Sequence, residues 1–339
     1  MTGNKGTFVI SLDFELSWGV RDRHRMGAYQ DNLMGARSAI PLILKLFDAY
    51  NIHATWATVG LLFFENYHEM MKNLPEKRPV YADERLSPYP TIHEIGRDER
   101  EDPFHYARSL IKMIASFPHQ EIGSHTFSHY YCLEKGQDLS AFRNDLKEAL
   151  RVAKKNDLSI TSLVFPKNQV NEDYLTVCRE MGITAYRGNT PHWIYQKRNG
   201  KRGEMVKKVF RFLDSYISIS SHNCYSAHSI SSSFPYNFTA SRFLRPCSNG
   251  LKLLDGVRLH RITSSLTYAA QRGLIYHLWW HPHNFGRNIQ KNIDLLQKIL
   301  DHYATLHMQN GMESLNMKEV AQRLARDAEF RAVNNACKR

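Results

Sequence analysis

Several features that would narrow the function of this chain are absent from it. No stretch approaches the roughly 20 uninterrupted apolar residues of a membrane-spanning helix. The opening residues Met1 to Gly6 run straight into an apolar segment, with no basic n-region, h-region or small-residue cleavage site, which sets the expectation of a cytoplasmic protein. Cys132, Cys178, Cys224, Cys247 and Cys337 are scattered, odd in number and form no CxxC pair, so reduced, partly buried thiols are expected rather than a disulfide framework. No self-similar period marks a solenoid. Acids are in short supply: 33 Asp and Glu face 45 Lys and Arg, a net charge of +12. Such a balance suits an anionic partner or a solvated basic face, yet no nucleic-acid-binding module accompanies it, so nucleic acid is not expected.

What is present is a set of acids and imidazoles at the ends of apolar runs. Gln120 to His129 places His125 and His129 four residues apart, just after a short apolar run and a glycine. On a helix, or a turn entering one, such residues share a face and can grip one metal ion. A chain with seventeen His yields this spacing by chance as well, so the pair alone decides little. Thr7 to Glu15 reads as a buried strand that ends in acid. Asp13 and Glu15 point to the same side of an extended chain, and two carboxylates there are costly unless something cationic meets them. That cation can be a metal on the two His, with one carboxylate completing the ligand set and the other free to accept a proton. Alternatively the acids face water, or pair with Arg21 or Arg23. A third apolar strand, from Ile275, ends in His281-Pro282-His283. It sets His281 at a strand end as a candidate proton donor and leaves His277 as a core histidine.

Taken together and in this order, the three stretches resemble the polysaccharide deacetylases of the NodB-homology type. Ser11-Leu12-Asp13-Phe14-Glu15 is similar to the family's first motif, His125-Thr126-Phe127-Ser128-His129 to its H-[ST]-x-x-H motif, and Leu278-Trp279-Trp280-His281 to its late leucine-then-histidine motif. The resemblance spans residues 7 to 290. It implies a distorted (β/α) barrel of about seven parallel strands and a divalent metal, Zn²⁺ first among candidates, on Glu15, His125 and His129. By the same resemblance Asp13 is the base, His281 the acid, and a backbone N–H near Lys167 the oxyanion donor, with Asn168, Trp280 and His283 on the substrate side. Trp279 and Trp280 alternate sides of their strand, and core packing is the commoner fate of a strand Trp.

The implied reaction is removal of an N-acyl group, acetyl foremost, from an amino sugar or glycan intermediate by water activated at the metal. The sugar would sit on a glycan, a nucleotide or a lipid carrier, with peripheral contact to an anionic membrane surface as a further use of the basic charge. Two alternatives stay open: hydrolysis of another non-peptide C–N bond, as in a cyclic amide or imide, and a non-catalytic carbohydrate- or carrier-binding protein. Two departures bear on them. The family's first motif commonly has adjacent aspartates, whereas here Phe14 separates the acids and the second is Glu, so the reverse assignment with Asp13 on the metal also stands. The third motif commonly carries an arginine, but Ser162 to Gln169 has none; Lys167, Asn168 or a cation from elsewhere must replace it.

Along the chain, strand-like and helix-like runs alternate, which itself favours a parallel, barrel-like sheet. Strands are expected at 7–13, 53–59, 162–165, 183–187, 251–254 and 275–281. Helices are expected at 36–50, 61–71, 104–117, 139–155, 171–181, 259–272, 287–307 and 318–326. The organisation is one domain over 1–339, with a polar, proline-bearing insertion or lid at 74–103 and a helical extension at 287–339. The Ser-rich stretch 216–238 reads as loop, with His222 and His228 as loop residues rather than ligands.

Overall fold

The computed structural model describes residues 5–21, 26–196, 201–230, 234–248, 250 and 254–336. Among these residues nine strands form one curled sheet: β1 (Thr7–Phe14), β2 (Ala54–Thr58), β3 (Gln120–Ser124), β4 (Ser162–Val164), β5 (Ala185–Arg187), β6 (Tyr236–Asn237), β7 (Arg242–Phe243), β8 (Ile275–Trp280) and β9 (Glu313–Ser314). The order is β6-β5-β4-β3-β2-β1-β8-β7, with β9 beside β1. Every pairing is parallel. β1 is buried along its whole length, as its near-continuous apolar run requires in a sheet covered on both faces.

The two edges of the sheet meet on one stretch of chain. Tyr236 N and Phe238 N donate to carbonyls of Thr184 and Tyr186 beside β5, both at 2.9 Å, and Ala240 N donates to Gly188 O. A few residues on, Ser241 N donates to His277 O at 2.9 Å and Leu244 N to Trp279 O at 2.8 Å, on β8. The segment 236–244 therefore serves as the seventh stave of a distorted barrel, pairing with β5 through its first half and β8 through its second. That arrangement agrees with the (β/α) barrel of about seven strands that the sequence implies. β7 and β9 are two residues each, too short to carry a period-two signal. The expected strand at 251–254 lies largely outside the described residues, and Leu254 itself leads into a helix.

Helices fill the crossovers: Met26–Ala49 after β1, Leu139–Lys155 before β4 and Asp255–Arg272 before β8. The last of these ends at Gly273 in the left-handed region (φ 64), whose N–H bonds back to Ala269 O before the chain turns into β8. Leu146, Phe142 and Val152 form the buried stripe of Leu139–Lys155, at the spacing an amphipathic helix needs. Because all staves run the same way, their carboxyl ends share one rim, and residues far apart in sequence converge there. The opposite end is closed by the helix Met317–Ala336, whose Met317, Val320 and Ala321 pack against Val9, Ala57 and Val164.

The insertion at 74–103 is more ordered than a polar loop. It contains 3-10 turns at Glu84–Leu86 and Tyr89–Glu94. Tyr81 and Leu86 bury themselves with Tyr131, and Tyr131 N donates to Tyr81 Oη at 2.9 Å. The insertion thus buttresses the loop that carries His129.

Candidate active site

β1 delivers two acids to the rim. Leu12 and Phe14 pack into the main hydrophobic core. The alternate residues Ser11 and Asp13 face the other way, where Ser11 Oγ lies 2.8 Å from His277 Nε2. His277 is fully buried, as expected, with burial pushing its pKa down to about 3. Asp13 and Glu15 are 3% and 4% exposed, so each needs a cationic neighbour.

For Asp13 that neighbour is Arg187, at the end of β5. Its guanidinium makes a two-pronged contact, Nη1 to Oδ1 and Nη2 to Oδ2, both 2.7 Å. The same fork donates to Ser11 Oγ at 3.0 Å and Asn168 Oδ1 at 2.9 Å, and it stacks over the Trp279 ring at 4.1 Å. Arg187 is the cation missing from the expected stretch 162–169; it comes from the next strand. Arg21, considered as a partner for the acids, instead donates to the carbonyls of Trp18, Leu86 and His129, and Arg23 lies outside the described residues. The signal that could have found Arg187 is positional: it ends an apolar strand, as Asp13 and His281 do. Burial pushes the Asp13 carboxyl up, but the Arg187, His125 and His281 charges more than offset this and hold it below its ordinary range.

Glu15 meets the two imidazoles. Its Oε2 lies 3.2 Å from His125 Nε2 and 2.9 Å from His129 Nε2. Of the two placements open to this spacing, a helix or a turn, the structure takes the second: the His pair sits on the loop that follows β3, with Thr126 (φ 64) and His129 (φ 57) in the left-handed region. A buried carboxylate holds the turn: Asp145, from the helix Leu139–Lys155, accepts from Phe127 N at 2.7 Å, from Ser128 N at 3.1 Å and from the Ser128 hydroxyl. This satisfies backbone donors that a helix would have satisfied within itself.

Gly19 completes the niche. A Cβ there would fall 1.9 Å from Glu15 Cδ, so only glycine leaves the carboxylate room. Gly19→Ala is accordingly expected to push Glu15 aside and weaken metal affinity about 10–100-fold, the scale seen when a ligand's support is disturbed. Competitive titration with a zinc indicator checks this; unchanged affinity would mean that the carboxylate does not belong to the ligand set.

The donor set fits a divalent cation. His125 Nδ1 donates to Val164 O at 2.8 Å, which turns its Nε2 toward Glu15. Burial pushes His129 down to about 3 despite the Glu15 charge, so that ring is neutral. Two imidazole nitrogens and a carboxylate oxygen drawn together at about 3 Å are the donor types that a divalent cation such as Zn²⁺ takes. One atom from each of these three buried residues falls within a common 4.8 Å.

His281 faces both acids, with Nε2 3.6 Å from Glu15 Oε1 and 3.7 Å from Asp13 Oδ2. Its Nδ1 donates to Asn284 Oδ1 at 3.1 Å, and Asn284 Nδ2 lies 3.3 Å from Tyr29 Oη. It is 23% exposed, so substrate can reach it. His283 is buried beside it, 4.0 Å from Glu15 Oε1. Lys167 and Asn168 turn through the left-handed region (φ 52 and 51), and the Lys167 ammonium lies 4.0 Å above the Tyr131 ring. Trp280, expected on the substrate side, is fully buried against Phe47 and Phe285. Strand alternation gives the other face to Trp279, which lines a groove of about 720 Å³ together with Lys167, Asn168 and His281. His222 lies beside Ser265 and stacks on Tyr268, away from Glu15, His125 and His129.

The sequence profile of the polysaccharide deacetylases matches residues 28–186, which include the His pair. The match covers just under half of the chain, and over that stretch the chain is similar to the polysaccharide deacetylase family. Asp13, Glu15 and His281 fall outside the matched stretch and join the site through the fold. Among solved structures, a Mycobacterium smegmatis protein assigned to the polysaccharide deacetylases is similar at 13% identity, with 97% of this chain and 93% of that one covered and a TM-score of 0.62. A Pseudomonas aeruginosa PAO1 protein likewise assigned has 11% identity, coverage of 94% and 91%, and a TM-score of 0.54. PuuE allantoinase has 12% identity, coverage of 95% and 91%, and a TM-score of 0.54. At these identities the likeness is one of fold. No curated protein matches the chain.

Proposed function

We propose that this chain is a polysaccharide deacetylase-like, metal-dependent hydrolase that removes an N-acyl group, acetyl foremost, from an amino sugar. The observation that carries the reading is the convergence of a Glu15–His125–His129 triad with a separate, arginine-clamped carboxylate and a partly exposed imidazole. A divalent cation held by Glu15, His125 and His129, zinc first among candidates for such a donor set, would supply Lewis acidity toward the attacking water and the acyl oxygen.

The chain's own residues supply the proton traffic. Asp13 is ionised, and Arg187 fixes the plane of its carboxylate, so it accepts a proton from the attacking water without reorienting. Water oxygen bonds to the acyl carbon, and the C–N bond then breaks. His281 donates a proton from Nε2 to the departing nitrogen, which would otherwise leave as an amide anion; its Nδ1 contact with Asn284 keeps the ring aimed. The products are a carboxylic acid and a free amine. The backbone turn at Lys167 and Asn168 lies on the same rim and is the candidate oxyanion donor. Trp279, on the groove wall, offers an apolar face to a sugar ring.

The test is acid release from N-acylated amino sugars and glycans by metal-replete protein, repeated after chelation and after zinc is restored. Asp13→Asn is expected to retain metal yet lose activity by about 10²–10⁴-fold, the range of general-base catalysis. Loss of metal in that variant would reverse the roles of Asp13 and Glu15. Metal-replete protein that releases no acid from any N-acylated sugar would refute the proposal; a cyclic ureide assayed in parallel would then separate another C–N hydrolase from a non-catalytic binder.

A further inference from the structure

The groove beside His281 is basic well beyond the needs of the chemistry. Lys167, Lys208, Arg211, Arg242 and Arg245 line it, against the acids Glu134 and Glu204. Most of these charges are engaged. Arg211 pairs with Glu204 at 2.6 Å, and Arg242 is buried against Asp214 at 3.1 Å. Glu134 accepts from Gln169 Nε2 at 2.6 Å.

Arg245 differs from its neighbours. It is half-buried, yet among the described residues no carboxylate lies within ion-pairing distance of its guanidinium. Its Nε donates to Ser215 Oγ at 2.6 Å, which fixes the fork. Phe212 and Phe243 hold the plane, 5.2 and 5.9 Å from ring centre to Cζ. Neither nitrogen beyond Nε has a hydrogen-bond partner among the described residues. Burial pushes its pKa down, with the Arg211 and Arg258 charges acting in the same direction. A guanidinium is normally kept at a half-buried site by a partner, because desolvating an unpaired charge is costly. Here a stacked, oriented fork faces the cavity, the geometry in which Arg recognises a planar or tetrahedral oxyanion through two parallel bonds.

Its position relative to the chemistry is set by two ring contacts. The Phe243 ring centre lies 5.9 Å from Arg245 Cζ, 5.8 Å from the ring centre of His281 and 4.7 Å from that of Trp279. The exposed Lys208, which has no ion pair among the described residues, lines the same groove. We propose that the groove is an oxyanion-recognition subsite: the N-acylated sugar carries, on itself or on its neighbour, a phosphate ester or carboxylate that Arg245 clamps, with Lys208 adding longer-range attraction. This rests on the deacylase reading and narrows its substrate class from neutral glycans to anionic ones.

The test compares N-acetylglucosamine, N-acetylglucosamine 1-phosphate and a disaccharide of N-acetylglucosamine with a uronic acid, on wild type, Arg245→Gln and Arg245→Lys. Wild type is expected to favour at least one anionic substrate over the neutral one in kcat/KM. In Arg245→Gln that preference is expected to fall about tenfold or more, carried by KM, the size expected for a lost charge-assisted contact. Arg245→Lys should recover part of it, since charge returns without the fork. Preference for the phosphate or for the uronate identifies which oxyanion is read; no preference in wild type, or a preference that survives Arg245→Gln, overturns the proposal. Direct calorimetric binding of N-acetylglucosamine 1-phosphate, the disaccharide and inorganic phosphate to both proteins separates the two readings. Arg245-dependent binding without hydrolysis keeps the subsite and removes the deacylase, whereas hydrolysis without Arg245-dependent binding does the reverse. Matching melting temperatures and metal contents of the variants exclude a fold defect as the cause.

Discussion

His129→Ala is expected to emerge from purification without stoichiometric metal and without measurable deacylase activity. His129 Nε2 sits 2.9 Å from Glu15 Oε2, and its ring is neutral because burial pushes the pKa down to about 3. The ligand is therefore available without first shedding a proton, which would otherwise make metal affinity fall steeply with acidity. Removing it leaves one imidazole and one carboxylate, too few to fix a tetrahedral ion. The loss should exceed the 10–100-fold typical of altering an outer partner of a ligand. The turn itself should persist, because Asp145 holds Phe127 and Ser128 independently of the ring. Plasma emission spectrometry on the purified protein reads the result, with circular dichroism to establish the fold. Near-normal metal content would remove His129 from the ligand set and take the central claim with it.

Arg187→Ala is expected to damage both stability and turnover. The wild-type pair is fully buried, with two 2.7 Å charge-assisted bonds and further bonds to Ser11 and Asn168. Removing one partner of a buried ion pair strands the other, at a cost of about 3–5 kcal/mol. The pH dependence has a definite sign. In the wild type, burial raises the Asp13 pKa while Arg187, His125 and His281 lower it more, leaving it below 3.8. A depressed carboxyl contributes stability that is complete above its unfolded value and is lost as pH falls through the folded one. Without Arg187 the burial effect gains ground and Asp13 takes up its proton at higher pH. The stability deficit of the variant should therefore shrink on acidification, and the acid limb of its kcat/KM profile should move upward. Arg187→Lys should recover only part of the loss, since an ammonium cannot bridge both oxygens. Denaturant unfolding at several pH values and a pH–rate profile check these outcomes. A deficit under about 1 kcal/mol, the value of an exposed pair, would show that Arg187 is not the partner that matters.

How much of this was legible beforehand depended on distance along the chain. The acids after the first apolar strand, the imidazoles after the third and His281 after the eighth could each be placed at a strand terminus from residues within a few positions. Asp13 and Arg187, by contrast, stand 174 residues apart. The short run Ala185–Arg187 is unremarkable until β5 is set two strands from β3, with its carboxyl end on the same rim. The stretch 236–244 gave no strand period because each half pairs with a different neighbour for only two or three residues. Whether the His pair sat on a helix or a turn stayed open for a related reason: the donor groups of that turn are satisfied by Asp145, a partner outside the local sequence. Trp279 and Trp280 could be assigned to opposite faces from alternation, but which face met the groove was set by barrel curvature.

The sequence by itself determined the alternation of strands and helices and the chemical types at the strand ends, because hydrophobic periodicity and turn chemistry act over a few residues. Only the tertiary structure decided which cation neutralises which carboxylate, where Glu15 finds room against Gly19, and that an Arg245 with no ion pair among the described residues lines the groove beside His281. Those outcomes follow from the closure of the barrel, which brings distant side chains into the low-dielectric interior, where an unmatched charge is too costly to leave alone.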